Sequence, residues 1–331
     1  MLAAVLAWPS AAPALDTDRA FRHYVRQNWS IQQGLPQISA MAIAQDRLGY
    51  LWVGTQSGLA RFDGVRFVTF TPENTPQLPG IWVRALLRGG DGRLWIGTYK
   101  GLSVHDGRAF RHVPGPAAID VASLALDDAG TVWAATARGL HRVDGDRLLA
   151  VAGSPAPLQA VLAERGTVWA GGRGALHAWT AGSWRRFALP ADAADAVVLH
   201  VVRAQGRLWV ATTVGLYTFD AGRFTPYGAG VANAATLAGA PVDLLHADTD
   251  GNLWAGGDAA LVRIVDGHPV EAIGARDLGG IPGLRTAFED REGNLWLGSQ
   301  WEGLTRLWAG WTRRYSLPDG LADPIVWSVV A

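Results

Sequence analysis

The sequence predicts an all-β protein, a seven-bladed β-propeller of four-stranded antiparallel blades. Three observations predict it. A tryptophan-centred motif recurs seven times, a short apolar segment precedes each copy, and a polar-aromatic segment follows most of them. Four short strands per unit of about 40 residues, joined by glycine-rich turns, is the pattern of a propeller blade. No segment sustains the 3.6-residue period and capping signals of a helix.

The motif reads GYLWVGTQSGLARFDG at Gly49 to Gly64. It divides into a strand around Trp52, a turn ending at Gly58, and a strand from Leu59 to Phe62. The closing Asp63-Gly64 predicts a two-residue hairpin turn, in which both central residues take φ > 0. Copies follow at Gly92, Gly130, Gly166, Gly206, Gly251 and Gly293, the last with one extra residue. The anchors are Trp52, Trp95, Trp133, Trp169, Trp209, Trp254 and Trp296, at spacings of 43, 38, 36, 40, 45 and 42 residues. Their strict period assigns them to the wedges between blades and not to a sugar-binding array. Burying each is worth about 2–3 kcal/mol.

Taken in order, Met1 to Leu15 is apolar, too short to span a membrane, and has the small-x-small ending Ala12-Pro13-Ala14. It reads as an export signal over residues 1–14 that lacks the positively charged start of such signals. Phe21 to Trp29 reads as a strand, and IQQGLPQ turns the chain into the apolar Ile38 to Ala44. Equivalent apolar segments begin at Ile81, Val121, Leu158, Val198, Val242 and Leu284. Each is the innermost strand of its blade, buried against blades on both sides. The outermost strands are the polar ones, such as Val65 to Phe70, Arg108 to Val113, Trp184 to Leu189 and Trp311 to Leu317.

The ends of the chain resemble each other, since WTRRYSLPDGLADPIVWSVVA repeats the course of the N-terminal segment. The propeller is therefore expected over residues 21–317, and residues 318–331 start a further repeat or a second propeller. Two closures are open. Phe21 to Trp29 pairs with the seventh unit, or Trp311 to Leu317 completes that blade within itself. The first is favoured, because a strand borrowed from the other terminus locks the ring and covers a sheet edge.

Composition narrows the function. Lysine plus arginine equals aspartate plus glutamate at 29 each, and the basic residues are scattered, which excludes the basic face of a nucleic-acid binder. There is no cysteine, hence no disulfide and no thiolate metal site. The eight histidines form no HxH or HxxxH pair, and Asp248-Thr249-Asp250-Gly251 lacks the later ligands of a calcium loop, so it reads as a hairpin turn. No cofactor and no metal are expected. No paired carboxylates or His/Tyr/Arg cluster stand together in the linear sequence, so no enzyme is expected within these residues.

One constellation stands out. Aligned on the motif glycines, the inner strands place Met41, Arg84, Ala122, Gln159, Leu199, Asp243 and Arg285 in one column. Buried polar groups are costly unless paired, and inner strands line the central channel. Arg84, Gln159, Asp243 and Arg285 are thus candidate channel-facing ligand residues. Two guanidiniums suit a carboxylate or sulfate; the competing arrangement is a structural ion pair of an arginine with Asp243. Trp301, in the insertion of the seventh motif, is a further candidate because loops carry recognition.

The repeat is similar to the two-component regulator propeller repeat, whose pattern is close to D-x-x-G-x-L-W-x-G-T-x-x-G-L-x-x-x-D-G. The first two copies match it best, through Asp46, Gly49, Trp52, Gly54-Thr55 and Gly58-Leu59, then Asp91-Gly92, Trp95, Gly97-Thr98 and Gly101-Leu102. Copies four and six depart, with Gly171-Gly172 and Gly256-Gly257 for Gly-Thr and with Ala175 and Ala260 for the second glycine. The resemblance implies a periplasmic, ligand-binding sensor module of a bacterial membrane signalling protein. Its partners would be a small-molecule or oligosaccharide ligand, anionic ones included, and a second propeller of the same parent chain. A histidine kinase or diguanylate cyclase output, and any membrane anchor, would lie downstream. The alternatives are a propeller enzyme acting on polysaccharide and a protein-interaction scaffold.

Overall fold

The computed structural model describes residues 19–274 and 281–310. The expected export signal, Trp311 to Leu317 and the further repeat at 318–331 lie outside them. Among the described residues the strands form seven four-stranded antiparallel sheets, so the architecture is the seven-bladed propeller. In six blades the strand order in space is the order in sequence. The inner strands are Ala40–Gln45, Val83–Arg88, Val121–Leu126, Leu158–Glu164, Val198–Ala204, Leu244–Ala247 and Leu284–Glu289. The seventh blade takes its outer strand from the N-terminus. Val25–Trp29 pairs antiparallel with Leu304–Trp308, from Val25 opposite Trp308 to Trp29 opposite Leu304. A single turn of 3-10 helix, Phe21–His23, leads into that strand.

Every hydrophobic cluster sits on a seam between two blades. Trp52, Leu59 and Ala44 of blade one pack with Leu78, Val83, Leu94 and Ile96 of blade two. Trp95, Leu102 and Val104 of blade two pack likewise with Val121, Val132 and Leu148 of blade three. The last seam joins Trp29, Trp296 and Leu304 to Ala40, Val53 and Phe62, with the Trp29 and Trp296 rings stacked at 5.3 Å. Contact at the seams is close. A β-carbon on Gly54 would lie 2.7 Å from the Val83 side chain, and one on Gly97 2.7 Å from Val121.

The motif aspartate has two jobs. Asp46 Oδ1 accepts from the backbone N–H of Leu48 and of Tyr50, closing the turn, while Oδ2 accepts the Trp52 indole N–H at 2.8 Å. Asp127, Asp248 and Asp290 hold Trp133, Trp254 and Trp296 in the same way, at 2.8, 3.0 and 2.6 Å. The Asp248 carboxylate is thus engaged by its own hairpin. The motif threonines close the next turn, as where the Thr55 hydroxyl donates to the Gly58 carbonyl at 2.8 Å.

Two expectations are corrected. Asp63-Gly64 is not a two-residue turn: Phe62 pairs with Phe67, so the loop has four residues. The Asp63 carboxylate accepts from the N–H groups of Val65 and Arg66 and stabilises the longer loop. The expected geometry, with φ > 0 at both central residues, occurs instead at Ala181-Gly182, Ala221-Gly222 and Asp266-Gly267. Among the anchors, Trp169 is only partly buried, whereas Trp52 and Trp209 are fully enclosed.

These contacts set two expected outcomes. Trp52→Ala should lower unfolding free energy by about 3–5 kcal/mol in denaturant titration, and Trp169→Ala by clearly less. Deleting residues 19–29 bares the edge of Leu304–Trp308, and should make unfolding less cooperative and promote concentration-dependent association in analytical ultracentrifugation.

Candidate functional site

The inner strands are pressed by neighbours on both faces, which leaves a side chain one route into the channel. The pairing register supplies it. In six blades the inner strand slips by one residue against the second strand, between Ala40 and Ala42, Val83 and Ala85, Val121 and Ser123, Leu158 and Ala160, Val198 and His200, and Leu284 and Thr286. The skipped residues are Met41, Arg84, Ala122, Gln159, Leu199 and Arg285. A bulge of this kind re-aims one side chain without ending the strand. In blade six pairing starts at Leu244, directly after Asp243. All seven residues of the sequence column line one central cavity of about 530 Å³. Ile43, Leu86, Leu124, Leu245 and Ala287, two residues further along their strands, also line it. The cavity therefore has a mixed collar and a set of apolar wall residues.

Two polar bridges cross the collar. Arg84 donates from Nη2 to Gln159 Oε1 at 3.1 Å, reaching from blade two to blade four past the small Ala122. Its Nη1 pairs with Asp120 Oδ2 at 2.5 Å, and its guanidinium lies over the Trp82 ring, 5.3 Å from the centroid. On the other side Arg285 Nη1 contacts Asp243 at 3.2 Å and Asp258 at 3.1 Å, while its Nε donates to Gln300 at 2.9 Å. Asp258 is exposed, so its pairing is worth little. Burial pushes the Asp243 carboxyl above the usual carboxylate range; the Arg285 guanidinium opposes that shift and Asp258 adds to it.

Two histidines complete the lining. His200 Nε2 donates to the Asp243 backbone carbonyl at 2.8 Å, and burial depresses its pKa. Burial pushes His246 down to about 4, partly countered by Asp248. His246 Nε2 is enclosed and has no hydrogen-bond partner among the described residues. Both imidazoles are therefore neutral near pH 7.

The structure brings Arg84, Gln159, Asp243 and Arg285 together on one cavity, and the structural ion pair between Arg285 and Asp243 is present. It does not bring Trp301 there. That indole is 53% exposed on the turn before Leu304–Trp308, outside the cavity lining. It packs over Gly283, where a β-carbon would meet it at 2.7 Å, because the inserted residue lengthens the turn outward. Sequence reasoning missed Asp120, Gln300, His200 and His246. Asp120 stands two residues before the column position of blade three, as Trp82 does in blade two. A second column at that offset would have found both.

Protonating His246 in the folded state is unfavourable, which gives a pH signature. Its folded pKa of about 4 lies below its ordinary 6.5, so its stabilising contribution is complete above pH 6.5 and is lost as pH falls towards 4. The loss from this residue should reach up to about 3 kcal/mol. Asp243, shifted upward, offsets part of it. Denaturant titrations from pH 7 to 4 should show the fall, and His246→Leu should flatten it.

Comparison with known proteins accords with this architecture. The family model described as two component regulator propeller matches residues 34–57 and 77–100, the stretches that hold Trp52 and Trp95. A segment of 55 residues is 40% identical to histidine kinase P4 of Formosa agariphila, covering 17% of this chain and 4% of the kinase. The extracellular domain of the putative hybrid two component system BT3049 from B. thetaiotaomicron superposes with a TM-score of 0.69 at 20% identity, over 87% of this chain and 42% of that one. Virginiamycin B lyase from Staphylococcus aureus superposes with a TM-score of 0.63 at 14% identity, over 86% of this chain and 98% of the lyase. These two likenesses establish the fold. The chain spans less than half of the extracellular domain and a small fraction of the kinase. No helix among the described residues is long and apolar enough to cross a membrane.

Proposed function

We propose, from the premise that this chain is built of two-component regulator propeller repeats, that it is the periplasmic ligand-sensing module of a membrane signalling protein. The repeats at 34–57 and 77–100 and the segment shared with a histidine kinase support the signalling context. The observation that carries ligand capture is the inner-strand collar, which brings Arg84, Gln159, Asp243 and Arg285 onto one cavity of about 530 Å³. That volume lies within the range of small-molecule pockets.

Charge balance refines the ligand class. The two guanidiniums face three carboxylates, Asp120, Asp243 and Asp258, and the imidazoles are neutral. Asp120 and the exposed Asp258 stand outside the cavity lining, but an anion entering this collar would have to separate the existing ion pairs of both arginines. A neutral ligand rich in hydroxyl groups, of mono- or oligosaccharide type, exchanges hydrogen bonds with the same groups without that cost. The bridges join blade two to blade four and blade seven to blade six. A ligand that replaces them alters contacts between blades, and through them the packing against a second propeller of the parent chain.

The enzyme reading keeps one specific observation, the placing of His200, His246 and Asp243 on a single cavity. His200 Nε2 is already committed to a backbone carbonyl, so His246, whose enclosed Nε2 has no hydrogen-bond partner among the described residues, is the uncommitted imidazole.

Two measurements decide between these readings. The gene should be read through the codon for Ala331: a membrane helix and a kinase or cyclase domain in the same chain supports the sensor, and a free-standing propeller gene overturns it. Calorimetric titration with neutral disaccharides and their uronic-acid counterparts should show the neutral members binding more tightly, with Arg285→Gln weakening them about ten-fold or more. Polysaccharide cleavage that is lost in His246→Gln would install the enzyme reading instead.

A further inference from the structure

Blade four breaks the repeat at its anchor. In blades one, three, six and seven a carboxylate six residues before the tryptophan accepts the indole N–H, and in blade five the Ala204 carbonyl does so at 3.2 Å. Blade four has Ala163 at that position, and its Trp169 indole N–H has no acceptor among the described residues. Blade two also lacks the carboxylate, having Gly89, but Trp95 is buried and covered by the Arg93 guanidinium, 5.1 Å from the ring centroid. Trp169 alone of the seven anchors is not fully enclosed, and it lines a cleft of about 370 Å³ between blades four and five.

The walls of that cleft are aromatic. The Phe187 and Phe219 rings lie 4.9 Å apart at 72°, and Trp169 approaches them at 6.0 and 5.5 Å. Edge-on pairs of this kind leave ring faces and edges for a further flat group. The rim is cationic. Arg185 is exposed, with its guanidinium 4.7 Å from the Phe187 centroid, and Arg203 is matched by Glu164 at 2.6 Å. An adjoining hollow shares Arg203, Phe219 and Asp220 and adds Arg207. Neither Arg185 nor Arg207 forms an ion pair among the described residues. Three guanidiniums thus face the two carboxylates Glu164 and Asp220, which leaves one positive charge in excess.

We propose that the seam between blades four and five is a second ligand site, separate from the central cavity, that takes a small aromatic monocarboxylate. The ring packs against Phe187 and Phe219, and the carboxylate meets the Arg185 guanidinium in a charge-assisted, two-point contact. The free indole N–H of Trp169 supplies a further donor. A monoanion neutralises the rim, an uncharged aromatic leaves the charge unmet, and an aromatic cation is repelled. The two ligand preferences differ, because both collar guanidiniums are already held by carboxylates, whereas Arg185 at this cleft has no ion-pair partner among the described residues. This site therefore stands or falls independently of the sensor reading.

Benzoate, benzamide and benzylamine, of nearly equal size, test the proposal. Calorimetry and ligand-detected NMR on the full chain should show benzoate binding, benzamide about ten-fold weaker, and benzylamine not at all. Arg185→Gln, at an exposed position of an outer strand, should reduce benzoate to the benzamide level with an unchanged melting temperature. Arg84→Gln, in the central cavity, should leave benzoate binding as it was. Equal binding of benzoate and benzamide, benzoate binding untouched by Arg185→Gln, its loss in Arg84→Gln, or no benzoate binding at tens of millimolar would each overturn the assignment.

Discussion

The structure depends on the seam between blades. A four-stranded blade of about 40 residues has two faces and no interior, so its apolar side chains are buried only when the next blade closes on them. The core clusters follow the seams one by one, each drawing residues from two successive blades. Stability is accordingly a property of the ring. The borrowed strand Val25–Trp29 completes the outer layer of blade seven and brings Trp29 onto Trp296 and Phe62, so the last seam is built like the others.

The same constraint makes the site. An inner strand clasped on both faces cannot present alternate residues to the channel as an open strand would. A one-residue slip in pairing releases a single side chain there, and the slip recurs at the same place in six blades. The seams thus fix where a channel-facing residue stands and leave its identity open. Methionine, alanine and leucine occupy three of those positions and charged or amide groups four. Polar groups held in so confined a collar must find partners, and Arg84 and Arg285 do so by crossing to other blades.

Much of this was legible in the sequence, because the repeat states it seven times. The blade count, the anchors and the channel column all follow from register, and register is local information. The readings that failed involve contacts between residues distant in sequence or a turn's own side-chain chemistry. Asp63-Gly64 carries the φ signature of a tight turn, yet the Asp63 carboxylate favours a longer loop. Trp301 follows Gln300, which bonds Arg285, but its own indole packs over Gly283 outside the cavity lining. Asp120 is joined to Arg84 across 36 residues and His200 to the Asp243 backbone across 43, distances that no motif spans.

The departures from the repeat are where the molecule became particular. Gly257 in blade six replaces the threonine whose hydroxyl closes the equivalent turn in blades one, two, three and five. A β-carbon there would lie 2.7 Å from the Pro241 carbonyl and 3.5 Å from Asp243 Oδ2, so the glycine keeps open the space in which Asp243 meets Arg285. In blade four the missing carboxylate leaves the Trp169 indole uncapped beside an arginine-rimmed cleft. Where a repeat position that serves the seam changes, its work either passes to another contact or is left undone. At Gly257 the replacement contact is an ion pair of the collar. At Ala163 no side chain of the blade replaces the lost acceptor, which is why the cleft, and not the regular blades, is the place to look for a partner from outside the chain.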